Sequence, residues 1–315
     1  MSNKYVVGVD LGGTKICTAL VNKLDGSVVK EVTVPTEANK GEDVVMDKIL
    51  GTIEGVIEGI NIDEIQSIGI GSPGPLDVEK GLIVYTPNLP FKNFNIVKPI
   101  IDKYNLPTYL DNDANVATLG EFLFGAGKGS KNMVFITVST GIGGGAILNG
   151  SLFRGSTSNA LELGHATVMK GGPRCGCGNT GCSEAVSSGT SITKRAREAV
   201  ESKAETSLKN YEEVTTREVF LEAERGDKVS QDILNEALSY LGITVANIAN
   251  ILDPDKIVIG GGVSQAGQIV FDKIEEEMSR RCLRTIYNNC KVEKALLGGK
   301  AGVLGAAALA ILEHK

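Results

Sequence analysis

Val6-Val-Gly-Val-Asp10-Leu-Gly12-Gly13-Thr14-Lys15 and Val134-Phe-Ile-Thr-Val-Ser139-Thr140-Gly141-Ile-Gly143-Gly144-Gly145 share one plan, an apolar strand running into a glycine turn. Glycine loops bring backbone N–H groups close to phosphate oxygens. Such a loop alone is a weak signal, and the second even matches a dinucleotide-type spacing. The residues after each loop decide between the readings. A Walker loop or a Rossmann turn must open a helix. Here the loops lead into Ile16-Cys-Thr-Ala-Leu-Val21 and Ala146-Ile-Leu148, short and partly β-branched, with turn signals beyond at Asp25-Gly26 and Asn149-Gly150. These read as return strands of β-hairpins. Neither loop has the Gly-Lys-Ser/Thr ending of a Walker loop. The chain therefore carries two strand–turn–strand units, each able to grip phosphates.

A third glycine run, Gly260-Gly261-Gly262, ends the strand Lys256–Ile259 and precedes a helix through Met278. It is either a plain strand-to-helix turn or a place where a flat base and ribose lie against the backbone. The remaining chain alternates strand and helix. Helical spacing runs from Gly41 to Ile60, and Ser67–Ile70 is a strand entering the rigid turn Gly71-Ser-Pro-Gly-Pro75. Pro107–Asp111 is a strand that meets Asn112-Asp113-Ala-Asn115 and a helix to Phe124. Asp227 to Leu252 reads as one long helix, Lys291 to Leu296 as a last strand, and a helix runs on from Lys300. This order predicts an α/β fold with mixed sheets flanked by helices.

A length of 315 residues exceeds what one core usually serves, so two domains are expected. The boundary is placed just after Asp113: 1–114 plus 302–315 form a smaller N-terminal domain, and 115–301 a larger one. With 42% apolar and 22% charged residues, the composition is that of a globular protein. The net charge of −6 lacks a basic block, which argues against nucleic acid as a partner. Lys194-Arg195-Ala-Arg197 reads as a solvated helix face. Ala301–Leu312 is too short to span a bilayer and reads as a closely packed internal helix. The N-terminus lacks a secretory signal pattern, so the expected location is cytoplasmic.

Glu162-Leu-Gly-His165 and Cys175-Gly-Cys177-Gly-Asn-Thr-Gly-Cys182-Ser-Glu184 put three thiols within eight residues and a histidine ten residues upstream. Three sulfurs and one nitrogen make the ligand set of a closed tetrahedral zinc site. The glycines at 176, 178 and 181 let the backbone aim the thiolates at one point. Three buried packing cysteines would be the plain alternative, but Gly-rich spacing does not suit a packed core. In a reducing compartment the spacing favours metal over disulfide. Cys17, Cys282 and Cys290 lack partner spacing and read as small apolar residues.

Asp10-Leu-Gly-Gly-Thr14, Asn112-Asp113, Glu162-Leu-Gly-His165 and Cys175 to Glu184 together resemble the ROK family of bacterial sugar kinases and repressors, over essentially the whole chain. Within the family, the chain is most similar to ATP-dependent glucokinases. The resemblance implies two ribonuclease-H-like domains of the actin/hexokinase superfamily, closing on sugar and ATP. It implies that Asp113 is the base accepting the proton of the sugar 6-hydroxyl. Asn112, Glu162, His165 and Glu184 would bind ring hydroxyls, and the turn at Gly74 would approach the sugar. Asp10 would hold Mg²⁺. Gly12, Gly13, Thr14, Lys15, Thr140, Gly141 and Gly143 would serve the phosphates, and Gly261 and Gly262 the adenosine. His165, Cys175, Cys177 and Cys182 would bind structural Zn²⁺. A homodimer or homotetramer is expected.

The chemistry is coherent by itself. Carboxylates, an amide and an imidazole suit a polyol's hydroxyls. If one ring nitrogen of His165 binds zinc, the other keeps its proton and donates. Asp113 by position is equally an N-cap or a base, and Asp111 competes for the second role; only the resemblance selects Asp113. Two other activities remain open: a kinase for fructose, mannose or an N-acetylhexosamine, and a sugar-sensing regulator. Repressors of the family carry a DNA-binding module before the first domain, whereas here the first strand begins by about Tyr5, which favours the enzyme.

Overall fold

The computed structural model describes residues 3–86 and 88–314. The chain divides into two compact units, one of Met1–Gly129, Ser151–Ala160 and Leu296–Lys315, the other of Ser130–Gly150 and Leu161–Ala295.

The first unit is built on β1 (Tyr5–Leu11), β2 (Lys15–Asn22), β3 (Val28–Pro35), β4 (Ile65–Ser72) and β5 (Thr108–Asn112), in the order β3-β2-β1-β4-β5. β1 pairs antiparallel with β2 and parallel with β4, which pairs parallel with β5. Successive side chains of a strand point to opposite faces. Accordingly, Val7, Val9 and Leu11 join Val45, Ile49 and Ile53 of helix Glu42–Ile57 in one core. Val6 joins Val303, Leu304 and Ala307 of helix Ala301–Glu313 on the opposite face. Helix 301–313 lies very close to the sheet: a Cβ at Gly8 would overlap Val303 O, and one at Gly69 would overlap Ala306 O.

The expected boundary after Asp113 would cut helix Asp113–Phe124, which the structure keeps whole in the first unit. The reason is packing. Gly120 of that helix meets Gly305, where a Cβ would lie 3.0 Å from its backbone, so the two helices form one layer.

The second unit repeats the plan with β6 (Met133–Val138), β7 (Ile142–Leu148), β8 (Lys256–Gly260) and β9 (Lys291–Lys294). β6 pairs antiparallel with β7 and parallel with β8, and β8 pairs parallel with β9. Helix Lys228–Leu252 lays Leu234, Leu238, Leu241 and Val245 on Val134, Ile136, Ile257 and Ile259. Its N-cap is Asp227, which accepts the Ser230 N–H at 2.8 Å. Both hairpins, the long helix and the mixed sheets match the sequence expectation. One reading needs correction. Arg195 is not simply solvated: its side chain is 25% exposed, and its Nη2 donates to Val186 O at 2.6 Å. No described helix is long and apolar enough to cross a membrane.

Candidate functional site

In the first unit, the β1–β2 turn carries Gly12, Gly13, Thr14 and Lys15. The Gly12 N–H bonds Lys15 O at 3.0 Å, and the Thr36 hydroxyl donates to Gly12 O at 2.7 Å. Thr36, which the sequence did not single out, thus braces the turn. Asp10, the next-to-last residue of β1, is half-buried. Burial pushes its carboxyl above the ordinary aspartate value; Lys15 opposes the rise and the charge of Asp113 adds to it. Asp10 and Asp113 therefore share one negative field, which favours a bound cation.

Gly302, also unforeseen, sits against this carboxylate: a Cβ there would overlap the Asp10 side chain. Inside helix 301–313 a Gly→Ala change should by itself stabilise by about 0.5–1 kcal/mol. Gly302→Ala is accordingly expected to melt at or near the wild-type temperature while it displaces the Asp10 carboxylate and weakens any divalent-cation binding there. A melting curve and a divalent-cation titration check this, and cation binding equal to wild type would dismiss the role of Gly302.

β5 leads into the second part of this half-site. Asn112 is the N-cap of helix 113–124 and accepts the Ala114 N–H at 2.9 Å. Asp113, placed by the sequence at either a cap or a base position, is the first helical residue. It is exposed, and its Oδ1 accepts the Ala114 N–H at 2.8 Å. Asp111 is fully buried. Its carboxylate accepts from Asn112 N–H and Asn115 Nδ2, each at 2.8 Å, and from Arg154 Nε at 2.7 Å. That carboxylate is buried and fully engaged within the protein, whereas Asp113 faces solvent. Gly74 comes beside Asn112, with its would-be Cβ 3.5 Å from Asn112 Nδ2.

In the second unit, the backbone of Ile142 is the centre of the arrangement. Its N–H donates to Glu184 Oε2 at 3.0 Å. Its carbonyl lies so close to the turn Leu163–His165 that any Cβ at Gly164 would overlap it. A Cβ at Gly141 would overlap Glu184 Oε2. The second glycine loop, the Glu162–His165 turn and Glu184 are thus in mutual contact. Glu162 is exposed, whereas His165 and Glu184 are half-buried.

Beside them lie the four expected metal ligands. One ligand atom from each of His165, Cys175, Cys177 and Cys182 falls within 4.8 Å of the others. His165 Nδ1 is 3.6 Å from Cys175 Sγ, and Cys177 Sγ is 3.8 Å from Cys182 Sγ. Zinc–sulfur bonds of about 2.3 Å at tetrahedral angles put two sulfurs about 3.8 Å apart. The set therefore has the size of a zinc site. Its electrostatics agree. Burial, reinforced by the neighbouring sulfurs, pushes the Cys182 thiol up to about 12, so its thiolate needs a cation. Cys177 moves the other way, chiefly through the backbone N–H of Asn179.

A cavity of about 650 Å³ opens on the other side of Thr140. It is lined by Ser139, Thr140, Thr190, Thr216, Phe220 and Gly262, among others. That volume suits a nucleoside. Gly261, at φ 84°, closes onto the end of β6, where a Cβ would overlap Val138 O. The sequence reading found the glycine and Thr140 side of this cavity. It missed Thr190, Thr216 and Phe220, which lie on helices and form no local motif.

A family model described as ROK family matches residues 6–313. A glucokinase of Halalkalibacterium halodurans is 36% identical over 312 residues, covering 97% of this chain and 94% of the relative. A solved ROK hexokinase from Thermus thermophilus superposes with a TM-score of 0.85 at 35% identity, covering 98% of each chain. A ROK glucokinase from Streptomyces griseus, solved with glucose and AMPPNP, gives a TM-score of 0.77 at 32% identity, covering 98% of this chain and 99% of that one. A xylose repressor of Caldicellulosiruptor bescii is 31% identical over 311 residues, covering 97% of this chain and 78% of its own length.

Proposed function

The chain belongs to the ROK family, and from that premise we propose that it is an ATP-dependent sugar kinase transferring phosphate to the 6-hydroxyl of glucose. The observation that carries the reading is the contact of Glu184 and the His165 turn with the backbone of one glycine-loop residue, Ile142. It couples groups suited to hydroxyls with a loop suited to phosphates.

Each unit's geometry supports a set of roles. Asp113 accepts the hydroxyl proton, and its exposure on the first helical turn leaves the carboxylate within reach of substrate. The helix N-terminus makes it a weaker base. That is tolerable, because phosphoryl transfer is loose and relies mostly on positioning and charge neutralisation. Asn112, Glu162, His165 and Glu184 bind ring hydroxyls, and Gly74 presents backbone. The three thiolates and His165 Nδ1 would hold zinc, which would supply rigidity. His165 Nε2 would then be the ring nitrogen left to donate to a hydroxyl. Gly12, Gly13, Thr14, Lys15, Thr140, Gly141 and Gly143 face phosphate oxygens, while Gly261, Gly262 and the cavity beside them take the adenosine. Asp10 would hold Mg²⁺, which would supply neutralisation of phosphate charge. Three reduced thiols at the zinc set suit a cytoplasmic enzyme.

Asp10→Ala is expected to raise the Mg²⁺ concentration needed for half-maximal turnover while sugar affinity stays near wild type. Parallel Mg²⁺ and sugar titrations test this; equal losses in both would remove Asp10 from the metal role. A sugar panel with ATP, Mg²⁺ and ADP readout tests glucose against fructose, mannose and N-acetylhexosamines. The likeness to a xylose repressor sustains a second reading, a sugar-responsive regulator. A DNA gel shift run beside the ADP assay separates the two.

A further inference from the structure

Buried Asp111 and half-buried Arg154 form an ion pair that none of the proposed roles uses. Asp111 is the next-to-last residue of β5 and is inaccessible to solvent. One of its oxygens holds the Asn112 N–H and the Asn115 amide, each at 2.8 Å. The other takes Arg154 Nε at 2.7 Å. Arg154 then reaches Glu313 on helix 301–313 through Nη2 at 2.8 Å. All of these residues belong to the first unit, although the segment Ser151–Ala160 that carries Arg154 is flanked on both sides by chain of the second.

We propose that Arg154 is a positioning residue for phosphoryl transfer: through Asp111 it holds the peptide from which Asn112 and Asp113 project. The inference rests on the reading of Asp113 as the base. Removing one partner of a buried ion pair leaves a charge without compensation. Asp111 must then turn towards water or towards another donor. Either response alters its grip on the Asn112 N–H and the Asn115 side chain, which together fix the first turn of helix 113–124. A shift of about 1 Å at a reacting group can cost about 10²-fold in rate. Lysine is no substitute, because one ammonium cannot reproduce a planar fork that serves Asp111 and Glu313 at once.

The experiment compares Arg154→Ala, Arg154→Lys and Asp113→Asn for kcat, for KM of ATP and sugar, and for melting temperature. For Arg154→Ala the expected result is a loss of about 10²-fold in kcat with KM for ATP within about threefold of wild type. Millimolar methylguanidinium should restore part of that kcat in Arg154→Ala and none in Asp113→Asn. Should Arg154→Ala fail to fold, the same kcat loss is expected in Arg154→Lys, which keeps the charge. Wild-type kcat in the Arg154 variants would overturn the inference while leaving Asp113 untouched. So would a rise in KM for ATP that parallels the kcat loss with no rescue, since Arg154 would then only hold the fold. Near-normal turnover in Asp113→Asn would instead defeat the base reading on which the inference stands.

Discussion

Asp113→Asn is expected to bind sugar within a few-fold of wild type and to lose about 10²–10⁴-fold in kcat, the usual contribution of a general base. The substitution is close to isosteric. Asp113 Oδ1 accepts the Ala114 N–H at 2.8 Å, and the amide oxygen of asparagine can take over that bond. The cap itself belongs to Asn112, so the helix start does not depend on the carboxylate. What the variant lacks is a group that takes up a proton. Calorimetric titration of sugar and a coupled ADP assay measure the two quantities separately. Turnover close to wild type would assign the proton to another acceptor.

The second large effect is expected on removing zinc. Cys177→Ser changes the exposed member of the set and leaves the buried Cys175 and Cys182 thiols without a full complement. Structural zinc binds with about 10–16 kcal/mol of apparent free energy, which would here order the segment between His165 and Glu184. Loss of an outer-shell partner alone costs about 10–100-fold in metal affinity or activity, and loss of a ligand should cost more. The variant, and wild-type protein stripped by a strong chelator, should both lose zinc by elemental analysis and lose sugar affinity by more than that factor. Nucleotide binding serves as the control, since the cavity beside Thr140 contains none of the four ligands. Metal-free protein with wild-type sugar affinity and turnover would end the account of the cysteines as a sugar-site clamp.

How legible these features are in the sequence depends on how local they are. The two hairpins could be read because a strand, a glycine turn and a return strand are contiguous, and the paired register Asp10↔Cys17 and Leu11↔Ile16 is a direct consequence. The clustering of His165 with the three thiols could be read because glycine spacing and thiol count are local too, with His165 only ten residues before Cys175. Relations across long stretches of chain were hidden. Asp111 and Arg154 stand 43 residues apart, and nothing near either residue announces the pair. Gly302 sits in an Ala- and Gly-rich run, where packing explains a small residue equally well; only its overlap with Asp10 reveals a second reason. The domain boundary failed for the same cause. Asn112-Asp113 looks like a place to divide the chain, but the helix it begins is committed to residues 301–313.

The dependence of β1 and β2 on helix 301–313 bears on how the polypeptide is made. Val6, Ala19 and Val21 leave the ribosome long before their apolar partners Val303, Leu304 and Ala307. At about 5–20 residues per second of synthesis, that face of the nascent sheet stays bare for many seconds. The second unit, whose segments all lie between those two ends, can fold while the first still waits. Truncating the chain before residue 301 would make the wait permanent, turning a passing need for chaperones into aggregation.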